Sequence, residues 1–454
     1  MANFILHIVL VLLLFTIGED EARKYVGYIY IIQYAAFLYT INKKNTQKLI
    51  TPYLKPSFLI LTYICLYFFS GSLYVNAGNG IFKEMVDVFF KVKNFVLVNV
   101  FFIVCNYIVF VTGMFVEKKY SKFSKYNFPL KDKISFTTVF LCTSVFLLFS
   151  FVELDLTFLG GSGSFSYLPK LVSALIIFMF LSSQKIKLRM IYYLLIMVVF
   201  AMASFESKRE IIFIFISIVY IENLFNPIKF DINLRTGIMG AIGFGLFTFF
   251  ILVSSITRGY GNYNAGGFIE AIKYVPSYVE SDIFVDALGD NFEINVVYVN
   301  ALNAADMYMS GNQETLYGET FLKALFIPIP KSVFDYKPNS MIVLYSPRVY
   351  TGRDYYITYP VIIYSELLWN FGLLFIPFLF FIVWVLDMFY YKMSLNTYRK
   401  GFTVSSIVLL VLYTINMQFI RGSGLDLLIL YIIVAIPFSW FLIKMNNFFV
   451  KKNG

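Results

Sequence analysis

The chain has 454 residues, 59% of them hydrophobic and only 14% charged, with a mean hydropathy of +0.73. So little polar surface cannot cover a soluble protein of this size, which leaves a polytopic all-α membrane protein as the expected fold class. The formal charge of +10 then reads as loop orientation, and nucleic acid is excluded as a partner class.

Apolar runs near the bilayer-spanning length predict about twelve transmembrane helices. They fall at 3–18, 25–41, 57–75, 95–116, 134–152, 166–183, 188–205, 210–225, 236–257, 361–388, 402–420 and 424–443. The first lacks a basic leader and is followed by Glu19, Asp20 and Glu21 where a cleavable signal would carry small residues, so it reads as an anchor. His7 lies in that run without partners and reads as structural. Cys65, Cys105 and Cys142 lie in three separate apolar runs and read as small packing residues.

With the N-terminus inside, the connections after even-numbered spans and the C-terminal tail carry 21 of the 37 lysines and arginines. That alternation predicts cytoplasmic termini by the positive-inside rule. Residues 1–257 form an N-terminal bundle of about nine helices, 258–359 an extracytoplasmic loop, and 360–454 about three C-terminal helices. The loop is not low-complexity. It has the apolar helical stretch Phe321–Phe326 and prolines at 328, 330, 338 and 347, and it is expected to fold against the bundle.

Arginine and lysine distribute differently. Six of nine arginines fall on the outer side, whereas 18 of 28 lysines fall inside. The six are Arg23, Arg209, Arg258, Arg348, Arg353 and Arg421. Arg209, with Lys208, sits in a short charged turn before a span of about 22 Å, shorter than a hydrocarbon core of about 30 Å. Such a turn fits a wet, protein-walled cavity. Arg258 and Arg421 end spans and precede glycines, which let a ligand approach the backbone. Snorkelling to headgroups is the bland reading of each. The preference for a planar, always-charged fork points instead to a phosphate or diphosphate ligand.

The motifs at Tyr317-Gly318-Glu319-Thr320-Phe321, Ile327-Pro328-Ile329-Pro330-Lys331 and Tyr336-Lys337-Pro338 resemble a pattern of bacterial O-antigen and capsule repeat-unit polymerases (Wzy-type). Glu366-Leu367-Leu368-Trp369-Asn370-Phe371-Gly372, Ser207-Lys208-Arg209 and Phe419-Ile420-Arg421-Gly422 are similar to further segments of that family. Lys331 departs from it, standing where arginine is frequent. The resemblance implies a GT-C-like glycosyltransferase of the bacterial inner membrane, acting at its outer face in lipopolysaccharide or capsule synthesis. A chain on one polyprenyl diphosphate would pass to the non-reducing end of a lipid-linked repeat unit. A flippase and a chain-length regulator are the implied protein partners, and membrane lipid surrounds the bundle.

Transfer from a diphosphate needs the departing negative charge stabilised and an acceptor hydroxyl positioned and deprotonated. The chain has one histidine and no Asp-x-Asp, so a metal-independent site without cofactor is expected. Arg209, Arg258 and Arg421 are the candidates for the diphosphate, with Glu366 the candidate base because an ionisable group inside a span is costly. A structural hydrogen bond is the competing role for Glu366. Lys208, Arg348, Arg353, Lys331, Lys337, Tyr317 and Tyr336 are candidate substrate contacts, and Glu293, Glu319, Asp335, Glu153 and Asp155 are weaker acids. The loop holds 13 of 35 tyrosines, which could stack on sugars or sit in an interface belt. An O-antigen ligase shares this layout but usually carries a loop histidine. A flippase predicts charges mid-membrane and often a repeat pair.

Overall fold

The computed structural model describes residues 2–44, 50–77, 83–120, 136–151, 252–257, 268–281, 294–326, 338–349, 361–400 and 444–451, with isolated positions between them. Among these residues every regular element is helical. Three stretches are long and apolar enough to cross a membrane: Pro56–Asn76, Phe95–Tyr120 and Ile363–Asn396. Apart from isolated positions, the spans expected at 166–183, 188–205, 210–225, 402–420 and 424–443, and most of 236–257, lie outside the described residues.

The first helices are α1 (Ala2–Thr16), α2 (Glu19–Lys44), α3 (Pro56–Asn76), the short α4 (Lys83–Lys91), α5 (Phe95–Tyr120) and α6 (Phe136–Phe151). Apart from α4, which no expected span covers, they fall on the expected spans. His7 packs as an apolar ring, 5.1 Å from Phe37 and 4.6 Å from Tyr107. Cys65 and Cys105 are free and fully buried.

Buried helix ends must find partners for their unpaired backbone groups. Here distant side chains supply them. α3 begins with Pro56, whose missing N–H is harmless in a first turn. The next N–H, that of Ser57, donates to Asp387 Oδ1 at 2.8 Å, and the Ser57 hydroxyl donates to Oδ2 at 2.6 Å. Asp387 therefore does the work of an N-cap from the far end of the chain. At the start of α5, the Lys93 and Asn94 amides donate to Asp306 at 3.1 and 2.8 Å. At the end of α4, Arg23 donates to the Phe89 and Val92 carbonyls at 2.7 Å each. A cation suits that negative helix end.

These caps fix two ends of the bundle. Arg23, Asp306 and the start of α5 mark one. The other carries Lys55 and Glu117, paired at 2.8 Å with both side chains 2% exposed.

The later helices are α7 (Phe268–Val279), α8 (Ile294–Met309), α9 (Glu319–Phe326), α10 (Met341–Val349), α11 (Ile363–Phe371) and α12 (Phe375–Lys400). α9 covers the apolar stretch expected at Phe321–Phe326. α8 belongs to the segment expected to fold against the bundle, and it lies inside it. Val296 through Val299, Ala301, Leu302, Ala304 and Ala305 are all buried, on every side of the helix. Its small residues allow close approach. The Ser365 hydroxyl reaches the Ala301 carbonyl at 2.9 Å, and the Trp369 indole N–H reaches that of Ala304 at 2.7 Å.

Polar pairs set the register of this centre. Tyr30 and Tyr298 both donate to Asn99 Oδ1, at 2.7 and 3.1 Å. Asn106 donates to Gln33 at 2.9 Å and accepts from Tyr364 at 2.9 Å. Interhelical bonds of this kind are worth about 0.6 kcal/mol each inside a bilayer, so they select alignment more than they add stability. Because Tyr298 meets Asn99 while Asp306 meets Asn94, the N-terminal half of α8 is the deeper half.

The apolar stretch expected as one span at 361–388 is broken. α11 ends at Gly372, which has φ +54° and ψ −133°, and the one-turn 3-10 helix Gly372–Leu374 follows. Phe102 and Asn106 of α5 meet Tyr364 before the break, and Phe101 of α5 meets Phe375 after it. The path therefore folds back on itself, and the Phe371 and Phe378 rings stack at 3.7 Å. Only glycine suits the backbone at 372, and an added Cβ there would strike the Tyr308 hydroxyl. Gly372→Ala is expected to destabilise the fold by about 1–3 kcal/mol from backbone strain alone. A lowered thermal midpoint of the purified protein in detergent checks it. An unchanged midpoint would mean that the bend is not held by this residue.

Candidate functional site

Two segments singled out in the sequence, 317–321 and 366–372, come together in space. Leu316 donates its amide to the Trp369 carbonyl at 2.8 Å, which lays the turn before α9 across the last turn of α11. The Thr320 hydroxyl then donates to Glu366 Oε1 at 2.9 Å. Asn370 closes the knot. Its amide donates to the Thr320 hydroxyl at 2.9 Å and to the Glu366 carbonyl at 2.8 Å, and its oxygen accepts from the Thr320 amide at 3.3 Å. Thr320, Glu366 and Asn370 are all buried.

The spacing explains why α11 can do this. Glu366 and Asn370 are four residues apart and so lie on one helix face. A buried carboxylate is costly unless donors reach it, and Thr320 provides one. The neighbouring wall is aromatic: Phe321 stacks on Phe371 at 5.4 Å, and Phe371 stacks on Phe378. Behind it, Tyr345 of α10 donates to Asn300 at 2.9 Å and accepts from Asn303 at 3.1 Å. Burial pushes the Tyr345 hydroxyl well above the usual phenol range, so it stays a donor at any physiological pH.

The sequence-predicted residues fare differently. Glu366 is buried, with its carboxylate accepting from Thr320. Tyr317 stands at the edge of the knot, 86% exposed. Glu319 opens α9. Arg348 is the penultimate residue of α10, and its side chain lies outside the described residues. Arg209, Arg258, Arg421, Lys208, Arg353, Lys331, Lys337 and Tyr336 lie outside them entirely, as do Glu293, Asp335, Glu153 and Asp155.

Arg23 shows that an arginine at this end of the bundle can be wholly structural. It is 7% exposed, pairs with Glu19 at 2.6 Å, and holds its guanidinium 4.5 Å from the Phe95 ring centre. One of the six arginines expected on the outer side is thus committed to closing α4. Thr320 and Asn370 are the residues that sequence reasoning did not single out. Both lie inside the quoted motifs, so the signal was a polar residue in an otherwise apolar segment. Comparison of the chain with protein-family models, with curated proteins and with solved structures found no match.

Proposed function

We propose that the chain is a polysaccharide polymerase of the membrane. It transfers glycan from a polyprenyl-diphosphate donor chain to the non-reducing end of a lipid-linked repeat unit at the outer face of the cytoplasmic membrane. One observation carries the reading. Two of the segments that resemble the repeat-unit polymerases, 317–321 and 366–372, interlock through Thr320, Glu366 and Asn370 at the Arg23 end of the bundle.

On this reading the Arg23 end faces outward and the Lys55 end faces the cytoplasm. Arg209, Arg258 and Arg421 hold the donor diphosphate, and their positive charge offsets the negative charge that grows on the leaving group as the C1–O bond breaks. No metal or cofactor is required for that step.

Deleting the gene is expected to leave single repeat units on the lipid carrier, already at the outer face. Purified protein supplied with lipid-linked repeats should yield polymer of rising length. Single repeats held at the cytoplasmic face would instead mark a flippase. Full-length polymer left on the carrier would mark a ligase.

A further inference from the structure

Tyr317 has φ +49° and is the non-glycine residue with positive φ among those described. The left-handed conformation costs a residue with a Cβ roughly 1–2 kcal/mol. Asparagine or glycine would adopt it with less strain, and Gly318, at φ +87°, follows directly. The Tyr317 ring gives the fold nothing in return, because it is 86% exposed and makes no hydrogen bond among the described residues. Strain of this kind persists where the surroundings over-determine it, and it gathers at ligand clamps.

The surroundings here do over-determine it. Leu316 is tied to the Trp369 carbonyl, and the Glu319 amide closes on the Leu316 carbonyl at 3.0 Å. Trp369 is itself fully buried and fixed to Ala304. One residue past Glu319, Thr320 enters the knot with Glu366 and Asn370. The turn carrying Tyr317 is therefore clamped from both sides onto α11, and through α11 onto the centre of the bundle.

We propose that Thr320, Asn370 and Glu366 are positioning residues. They lock the turn 316–320 so that the Tyr317 ring stands out as a rigid platform for the apolar C–H face of a pyranose in the acceptor glycan. The assignment rests on the polymerase reading and deepens it. A platform fixed before binding spends no ordering entropy when the sugar arrives. An aromatic ring gives such a face broad, dry contact without demanding one particular hydroxyl pattern. Glu366 then contributes an accepting oxygen rather than a proton-accepting base.

The test uses the full-length protein in lipid nanodiscs. The binding probe is oligosaccharide released by mild acid from the surface polysaccharide of cells that make the protein, and elongation of lipid-linked repeats is followed in parallel. Tyr317→Ala is expected to weaken glycan binding and raise the acceptor KM by about tenfold, with kcat little changed. Tyr317→Trp should bind like the parent, and Tyr317→Leu should fall with alanine. Thr320→Val should reproduce the Tyr317→Ala loss, and Thr320→Ser, which restores the hydroxyl, should recover it. Glu366→Gln keeps an accepting oxygen, so it should weaken binding less than Thr320→Val and leave the pH profile of the rate in place.

Several outcomes overturn the assignment. Leucine serving as well as tryptophan at 317 would make the ring a lipid anchor. Thr320→Val binding like the parent would remove the latch. Loss of the acidic limb of the pH profile in Glu366→Gln would make Glu366 a base. A parent protein that binds no glycan ends the platform. A parent that binds glycan with the Tyr317 pattern yet elongates nothing keeps the platform and ends the polymerase reading.

Discussion

Arg209→Ala, Arg258→Ala and Arg421→Ala are each expected to lose polymer while the protein remains folded and inserted. A single oriented contact to charge that develops in the transition state is typically worth about 10²–10³ in rate. Lysine at the same positions should recover little. An ammonium is a point charge on a flexible stem, whereas the guanidinium offers two parallel donors to one phosphate. The measurement is polymer length on gels together with the amount of protein in the membrane, so that loss of activity is separated from loss of protein. Normal polymer in all three alanine variants would place the diphosphate elsewhere. Arg23→Ala serves as the contrast. Its guanidinium is engaged by two carbonyls and Glu19, so its loss should lower stability rather than act on the leaving group.

The second large effect concerns the opposite end of the molecule. Lys55→Met takes an ammonium away from the Glu117 carboxylate where both side chains are 2% exposed. Breaking a buried pair by removing one partner costs about 3–5 kcal/mol, because the remaining charge stays in a poorly solvating site. The expected result is a sharply lowered thermal midpoint in detergent and reduced accumulation in cells. Replacing both partners, Lys55→Met with Glu117→Leu, should recover part of the loss, since an apolar pair of similar volume is often as stable as the ions, while buried Asp387, which Lys55 also attracts, keeps only its Ser57 donors. A double variant no more stable than the single would show that the two charges are not coupled.

The all-helical class and five of the expected spans were legible in the sequence. α1, α2, α3, α5 and α6 fall where apolar length and flanking charge predicted helices. That signal is local, so sequence carries it. The break at Gly372 was not legible, because Phe371-Gly372-Leu373 is as apolar as a continuous span and hydropathy ignores φ. α8 was read as part of a loop segment because Asn300, Asn303 and Asp306 lower its hydropathy. Those polar residues meet partners from other segments, Tyr345 for the two asparagines and the Lys93 and Asn94 amides for Asp306, which a window along one chain cannot see. Lys55 counted as a loop cation and Asp387 passed unremarked inside an apolar run. Their roles depend on Glu117 and Ser57, which are distant in sequence. Of the site, Tyr317 and Glu366 were singled out in the sequence, while the knot beside them rests on Thr320 and Asn370. A motif gives spacing along the chain, and the knot is a relation across 46 residues.

The burial of α8 also dictates an order of assembly. During synthesis α2, α3 and α5 emerge more than 150 residues before α8 is complete. Until then Tyr30 and Asn99 face each other without Tyr298, and Asn106 waits for Tyr364. Polar groups held in that condition inside a bilayer are costly, and they keep the partial bundle unstable. Fragments ending before Ile294 should therefore be degraded rapidly, however apolar their helices. The N-terminal half of the chain is a nascent intermediate that only its own later segment can complete.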